Sequence, residues 1–461
     1  MSVDCRRWFS FWLLVSASLF FSAAQLRADY YFGATGSNGV AGSLYLINPN
    51  TGAASLIGPL QDGSGNPYGV TGLAFQPSTQ NLYGSTANAS PINSGHLVKI
   101  DPSTGLVTDI GSFGLPSTLA DITFEPTTGI LYGLQAAGGG DHWLYTVSLS
   151  TGVATKVGIG TRPDFGGGGL ASNSTGVLFA ALDGVSSTYG HPTLRTLNKG
   201  NGTDTLVAFL TPTPAGAIDS MDFNSADVLY GFETDRSNPA HTQLITINTI
   251  TGAVTVIGLS VDNADGLAIL KTPADAYLVR YAANLSAGDS SIDLTNAGSV
   301  SGSEPVGNIC ANVYVFAADQ QMIACCTCPL TPNHLKSLSV KNDLTSNTLT
   351  PGSVNEVTIE LLATAAPVGT GTCNAGSLPG GFTAGGTFVA PLVPGLEAWG
   401  TTLHGAPGGG YGTTETAFSK APLSNSELNK LNSYCGFIQS NGSGYGICSS
   451  CRTGALGASR Q

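Results

Sequence analysis

Leu97-Val-Lys-Ile-Asp-Pro-Ser-Thr-Gly105 reads as a short strand that breaks into a turn. The Asp101 side chain can close an Asx-turn, Pro102 presets φ, and Gly105 supplies a residue that tolerates positive φ. Four further segments share the pattern: Leu44-Tyr-Leu-Ile-Asn-Pro-Asn-Thr-Gly52, Leu144-Tyr-Thr-Val-Ser-Leu-Ser-Thr-Gly152, Leu194-Arg-Thr-Leu-Asn-Lys-Gly-Asn-Gly202 and Leu244-Ile-Thr-Ile-Asn-Thr-Ile-Thr-Gly252. Their last glycines are 53, 47, 50 and 50 residues apart. A second strand follows each turn, as in 53–58, 106–111 and 253–258, so each unit holds a β-hairpin. Another hairpin precedes it in four units, for example Leu73-Ala-Phe-Gln-Pro leading to Leu82-Tyr-Gly84. Four strands at this period are the mark of a propeller blade.

The ends of the repeat region settle how it closes. Gly266-Leu-Ala-Ile-Leu270 reads as a first strand with no second strand after it, and Tyr31-Phe-Gly33 as a second strand with no first. Pairing them completes a fifth blade from both ends and removes the exposed edge of an open array. The expected architecture is therefore all-β: a five-bladed β-propeller over 29–272 with its first blade split, followed by a β-sandwich-like, disulfide-stapled domain. An open β-solenoid of the same repeats is the rival, and the split blade speaks against it.

Composition agrees. Only 10% of the 461 residues are charged, while glycine (62) and proline (24) abound, which suits short strands and tight turns rather than a helical enzyme. The formal charge of −12 argues against a nucleic-acid backbone or an anionic membrane surface as partner. Arg6 and Arg7, the apolar run from Trp8 to Phe21 and the small residues Ser22 to Ala24 have the order of a secretory signal peptide over 1–28, cleaved after Ala24 or Ala28. The run is short for a membrane span, and no later segment reaches the roughly 18 apolar residues that one needs. The mature chain is thus expected to be secreted or periplasmic.

Candidate site residues gather on the propeller face where the chain enters the innermost strands. Asp121, Asp219 and Asp265 sit at or just before three of those strands, and Asp164 lies upstream of a fourth. Acids converging on a channel suit a hard cation such as calcium, although Asp before a strand also serves as a turn cap. His96, His142, His191 and His241 fall at one point in four blades, where the third strand begins. That strand lies roughly 10 Å outside the first, so a shared metal would require the loops to fold inward. With Arg162, Arg236 and Trp143 they form a candidate ligand face, and His142 beside Asp141 is a candidate general base. Gly-x-Ser-x-Gly, His-Glu-x-x-His and the phosphate-binding Gly-x-x-x-x-Gly-Lys are all missing from the sequence.

Every cysteine after the leader lies beyond the repeats: Cys310, Cys325, Cys326, Cys328, Cys373, Cys435, Cys448 and Cys451. Eight thiols in an exported chain point to as many as four disulfides, with the connectivity open. Two C-x-x-C pairs and His334 keep a zinc reading in view, but their separation is far from a compact finger. Strand patterns at 277–282, 311–317, 337–341 and 357–361 predict a sandwich-like domain over 273–372. In the last of these, Val357, Ile359 and Leu361 face the core, with Thr358 and Glu360 toward water. A Gly/Cys-rich region over 373–461 follows, with one short helix, 427–434, capped by Ser424 or Ser426 and packing through Leu428, Leu431 and Cys435.

The repeat resembles those of secreted bacterial β-propellers with a Leu-Tyr-x-Ile-Asp-Pro-x-Thr-Gly signature, over about half the chain. The tail Cys435-Gly-Phe-Ile-Gln-Ser-Asn-Gly-Ser-Gly-Tyr-Gly-Ile-Cys-Ser-Ser-Cys451 and the stretch Val279-Arg-Tyr-Ala-Ala-Asn-Leu285 resemble a family of exported proteins of soil bacteria. Neither resemblance carries a catalytic residue with it. The leading expectation is an exported, non-enzymatic protein whose propeller face binds an extracellular glycan or protein. A lyase or hydrolase of extracellular polymers acting at the His/Asp face is one alternative, and a self-associating surface or matrix protein is the other.

Overall fold

The computed structural model describes residues 29–451 apart from 38, 136–143, 159–167, 183–191, 215, 236, 238, 299–306, 351, 353, 368–371 and 450. The signal-peptide reading therefore lies outside the described residues. Five four-stranded antiparallel sheets fill 29–270, and their first strands touch one another around a closed ring, as in a β-propeller. The ring closes as the repeat ends predict. Ala264–Leu270 pairs antiparallel with Tyr30–Thr35, Tyr31 opposite Ile269 and Gly33 opposite Leu267.

The turn motif folds for the reasons its residues imply. The Asp101 carboxylate accepts the Ser103 amide at 2.8 Å, Asn48 accepts that of Asn50 at 2.9 Å, and Asn248 accepts that of Ile250 at 2.9 Å. Gly105 sits at φ +80°. A second glycine of the repeat has a different task. At Gly58 a Cβ would stand 2.1 Å from the Thr104 carbonyl of the next sheet, and at Gly258 it would stand 2.1 Å from that of Thr51. Only glycine lets the turn of one sheet dock so closely on its neighbour. The docking is hydrogen-bonded at three equivalent junctions, Val107 to Gln61, Ala154 to Phe113 and Val254 to Thr211.

One junction is expected to respond to acid. Glu125 is fully buried in the turn after Leu119–Phe124; it accepts from the Thr127 hydroxyl at 2.6 Å and from Thr128, with Lys199 of the next sheet 3.5 Å away. Burial raises its pKa, but these hydrogen bonds and the Lys199 charge outweigh it and leave the carboxyl at about 2. A carboxyl depressed in the folded state contributes stability above its ordinary value of 4.5 and loses it as pH falls toward 2. Melting temperature is expected to drop across that window, and E125Q to flatten the drop; a parallel acid profile in both proteins would refute it.

Beyond the ring the chain builds a sandwich. One sheet has the order 322–330, 309–317, 357–365, 277–282 and 419–420, and the other the order 335–339, 291–296, 396–405 and 411–417. The sandwich thus runs past residue 372, where the sequence reading ends it. The long hairpin Leu396–Gly405 and Tyr411–Ala417 is hidden in sequence by its glycine content, with Gly408 to Gly410 forming its tip. The first sheet is buried on both faces, which explains the apolar run Ile309–Ala317, interrupted only by the buried Asn312. One face meets the second sheet; the other carries Tyr277, Tyr314 and Leu362 against the helix and the propeller. Glu360 therefore points toward Tyr277 and the helix residue Glu427 rather than to water.

The helix spans Asn425–Ser440, is capped by the Ser424 hydroxyl, and buries Leu428, Leu431, Cys435 and Ile438. The disulfides are Cys310–Cys373, Cys325–Cys435, Cys326–Cys448 and Cys328–Cys451. Strand alternation sorts them: Cys325 faces the helix, while Cys326 and Cys328 face the opposite way, into the sandwich. Cross-links of this number persist in oxidising surroundings, extracellular or periplasmic. Among the described residues no helix is long and apolar enough to cross a membrane.

Candidate functional site

Five inner strands surround the propeller axis, and their pairing registers fix equivalent positions. Leu73, Ile122, Leu170, Met221 and Leu267 each face the glycine or alanine of the neighbouring second strand. The residues just before them are Gly72, Asp121, Gly169, Ser220 and Gly266, three glycines around one acid and one hydroxyl. Asp121 fills the axis and is completely buried. One carboxylate oxygen accepts the Ile122 amide at 3.0 Å and the Ser220 hydroxyl at 2.9 Å; the other accepts the amides of Leu170 at 2.8 Å and Met221 at 3.0 Å. Ser220 in turn accepts the Leu267 amide at 2.9 Å. A Cβ at Gly72 would meet Asp121 Oδ1 at 3.0 Å, so the glycines leave room for this side chain. Burial pushes the Asp121 carboxyl well above its usual range, and the four donors work against that push. The arrangement ties four strands together and blocks the channel at mid-height.

Above that plug each of four inner strands carries a β-bulge, at Thr71, Ala120, Asp219 and Asp265. Asp219 accepts the Thr234 hydroxyl. Burial raises Asp265 to about 6, while the Ser37 hydroxyl pulls the other way. Asp219 and Asp265 thus share one level and Asp121 lies a step deeper with its oxygens saturated. Among the described residues no three His, Cys, Asp or Glu side chains are grouped as a metal site. Asp164 lies outside the described residues.

His96 and His241 stay on the outer strands. The His96 ring lies 2.9 Å from Asp109, and His241 lies 3.0 Å from Asp262, which raises its pKa by hydrogen bonding and by charge. His96 thus reaches an acid on the outer strand Val107–Ser112 of its own sheet, and His241 one in the turn that leads into the inner strand Ala264–Leu270. His142, Trp143, His191, Arg162 and Arg236 lie outside the described residues.

Below the plug, on the opposite face, the channel opens into a cavity of about 270 Å³. Its apolar wall includes Phe75, Phe124 and Leu270; Gln76, Gln80, Thr123, Asp222 and Lys271 supply polar groups, and Pro394 of the sandwich region contributes to the rim. Asp222 accepts the amides of Phe223 at 2.7 Å and Ile269 at 2.8 Å, and Lys271 Nζ lies 3.5 Å away. Burial raises the Asp222 pKa, opposed chiefly by the Lys271 charge. None of these lining residues stands out in the repeat signature. The available signal was the polar residue set into an apolar inner strand, Thr123 in Ile-Thr-Phe and Asp222 in Met-Asp-Phe.

No protein-family model matches the sequence, and no curated protein matches it. Among solved structures, a gluconolactonase from Xanthomonas campestris is similar at 11% identity over 53% of this chain and 80% of its own, with a TM-score of 0.33. TolB from Acinetobacter baumannii is similar at 15% identity over 50% of this chain and 52% of its own, with a TM-score of 0.31.

Proposed function

We propose that the protein is an exported binding protein whose propeller holds a small extracellular ligand, the end of a glycan, in the cavity below the Asp121 plug. The cavity itself carries this reading. It joins phenylalanine walls to a few convergent polar groups, Gln80, Thr123, Asp222 and Lys271, the mixture that sugar faces and hydroxyls require. Binding is favoured over hydrolysis because glycosidic cleavage runs on a pair of carboxylates, and Asp222 is the one acid among the described lining residues. The lyase or hydrolase alternative at the His/Asp face rests on residues of which His142 and His191 lie outside the described ones; His96 and His241 are paired with Asp109 and Asp262.

The test is a thermal melt of the oxidised mature protein against soluble oligosaccharides. A ligand at 100 times its Kd adds about 2.7 kcal/mol, a shift of several degrees. K271A and Q80A are expected to remove the shift while keeping the unliganded melting temperature within a few degrees. A shift that survives both substitutions, or no shift with any sugar, would overturn the proposal.

A further inference from the structure

Gln80 closes the turn between the strands Val70–Phe75 and Leu82–Thr86, with its amide bonded to the Gln76 carbonyl and its backbone at φ +53°. The equivalent turns of three other sheets place Gly129 at φ +72°, Gly176 at +80° and Asp227 at +56°. Glycine adopts this left-handed region freely, whereas a residue with a side chain is strained there and needs a compensating contact. Asp227 has one: its carboxylate accepts the Ser174 amide of the neighbouring sheet at 2.9 Å. Gln80 has another, and it leaves the propeller: its Nε2 donates to the Leu392 carbonyl.

Leu392 opens a short strap, 392–395, between the strands Thr387–Val389 and Leu396–Gly405. Other anchors of the strap lie beyond the propeller. The Val393 amide donates to the Ala363 carbonyl at 3.1 Å, and the Gly395 amide donates to the Asp275 carboxylate at 3.4 Å. Between these anchors the half-buried Pro394 lines the cavity below the Asp121 plug, together with Gln80 and Lys271. One side of that cavity is therefore a proline from the sandwich region, pinned to the propeller through Gln80. A cleft open on two sides lets a polymer pass through, whereas one with a fixed wall takes only an end.

We propose that Gln80 sets the specificity of this cavity: by holding Leu392 it keeps Pro394 across one side of the mouth, so the cavity admits the terminal unit of a glycan and turns away the interior of one. The inference rests on the glycan-end reading and adds the residue that enforces it. Gln80 acts here as a positioning residue, through Leu392 and Pro394, and the contact to Leu392 is what offsets its strained backbone.

Calorimetric titration of the full oxidised mature chain tests this with maltotriose, which has chain ends, and β-cyclodextrin, which is built of the same glucose units and has none. The wild-type protein is expected to bind maltotriose at least tenfold more tightly than β-cyclodextrin. Q80E keeps the side-chain length but sets a carboxylate against the Leu392 carbonyl, and P394A removes the ring from the mouth with Gln80 in place. Both are expected to bring the two sugars within threefold, through a gain of β-cyclodextrin binding that simple damage to the cavity would not produce. Hydrogen exchange reads the contact without any ligand: the amides of Leu392, Val393 and Gly395 should exchange at least fivefold faster in Q80E, while those of the strand Ile309–Ala317 keep wild-type rates. K271A should weaken maltotriose with no gain of β-cyclodextrin, so loss of the glycan site and loss of its selectivity give different results. Wild-type binding of neither sugar fails the glycan-end reading for glucans and the selectivity with it. Maltotriose binding with no β-cyclodextrin gain in either variant, or unchanged exchange of the strap in Q80E, overturns the role of Gln80 alone.

Discussion

Serine at both Cys310 and Cys373 is expected to destabilise the oxidised protein by about 4 kcal/mol, more than the loss of any other single disulfide. The chain-entropy argument for a loop of 63 residues predicts that magnitude. By the same formula the spans of 110, 122 and 123 residues would each seem to stabilise more, but they do not act independently. All three tie the strand Met322–Leu330 to the chain after residue 434. Once Cys326–Cys448 has closed, Cys328–Cys451 closes a ring of only about six residues, worth about 2 kcal/mol, and Cys325–Cys435 a ring of about 15, worth about 3 kcal/mol. The expected order of loss is therefore C310S/C373S, then C325S/C435S, then C328S/C451S. Urea unfolding followed by near-ultraviolet circular dichroism checks it. Equal losses in all three double variants, or the largest in C328S/C451S, would show that the entropic account fails here.

That pairing pattern was beyond the sequence, which left the eight cysteines without partners. Spacing alone could not say that Cys325 and Cys326 point to opposite faces of one strand, although strand alternation made it the natural result once a strand was placed there. The ring itself was legible because one physical signal repeats, the Asx-turn with its glycine, and a second, the split first blade, shows how the repeats close. The helix was legible through Ser424 and the Leu428–Leu431–Cys435 spacing, with its C-terminal turns, to Ser440, read short. The segment Ala375–Leu392 was not. It reads as loop, yet its hairpin Phe382–Ala384 and Thr387–Val389 packs on the propeller, with Phe382 6.4 Å from Phe32 and the Phe388 carbonyl accepting from Tyr30 at 3.1 Å. Three-residue strands joined by Gly385-Gly386 are too short to carry a period to detect.

The candidate site divides the same way. Sequence placed Asp121, Asp219 and Asp265 around one channel; in the structure Asp219 and Asp265 share one level and Asp121 lies a step deeper. What sequence could not weigh was the supply of donors. A cation needs free carboxylate oxygens, and Asp121 has none, because the amides of three strands and a serine hydroxyl already occupy both. Cavity residues such as Gln80 and Lys271 belong to different sheets and converge only through the ring's curvature.

Alanine at Asp121 is the second substitution with a large expected effect, a loss of about 3–5 kcal/mol in the propeller. The amides of Leu170 and Met221 would be left buried without acceptors, at about 1–3 kcal/mol each, and the vacated axis adds a cavity cost. S220A removes only the bridge from Asp121 to the Leu267 amide and is expected to lose about 1–2 kcal/mol. Because Ser220 hangs from the Asp121 carboxylate, the double variant should lose less than the two single losses combined. Hydrogen exchange distinguishes this from a global effect: peptides covering the inner strands at 119–124, 170–172 and 217–223 should exchange faster in D121A, while those from the strand at 309–317 keep wild-type rates. Wild-type protection at Leu170 and Met221 in D121A would mean that the axis is held by strand packing alone, with the carboxylate dispensable; additive losses in the double variant would place Ser220 outside the network.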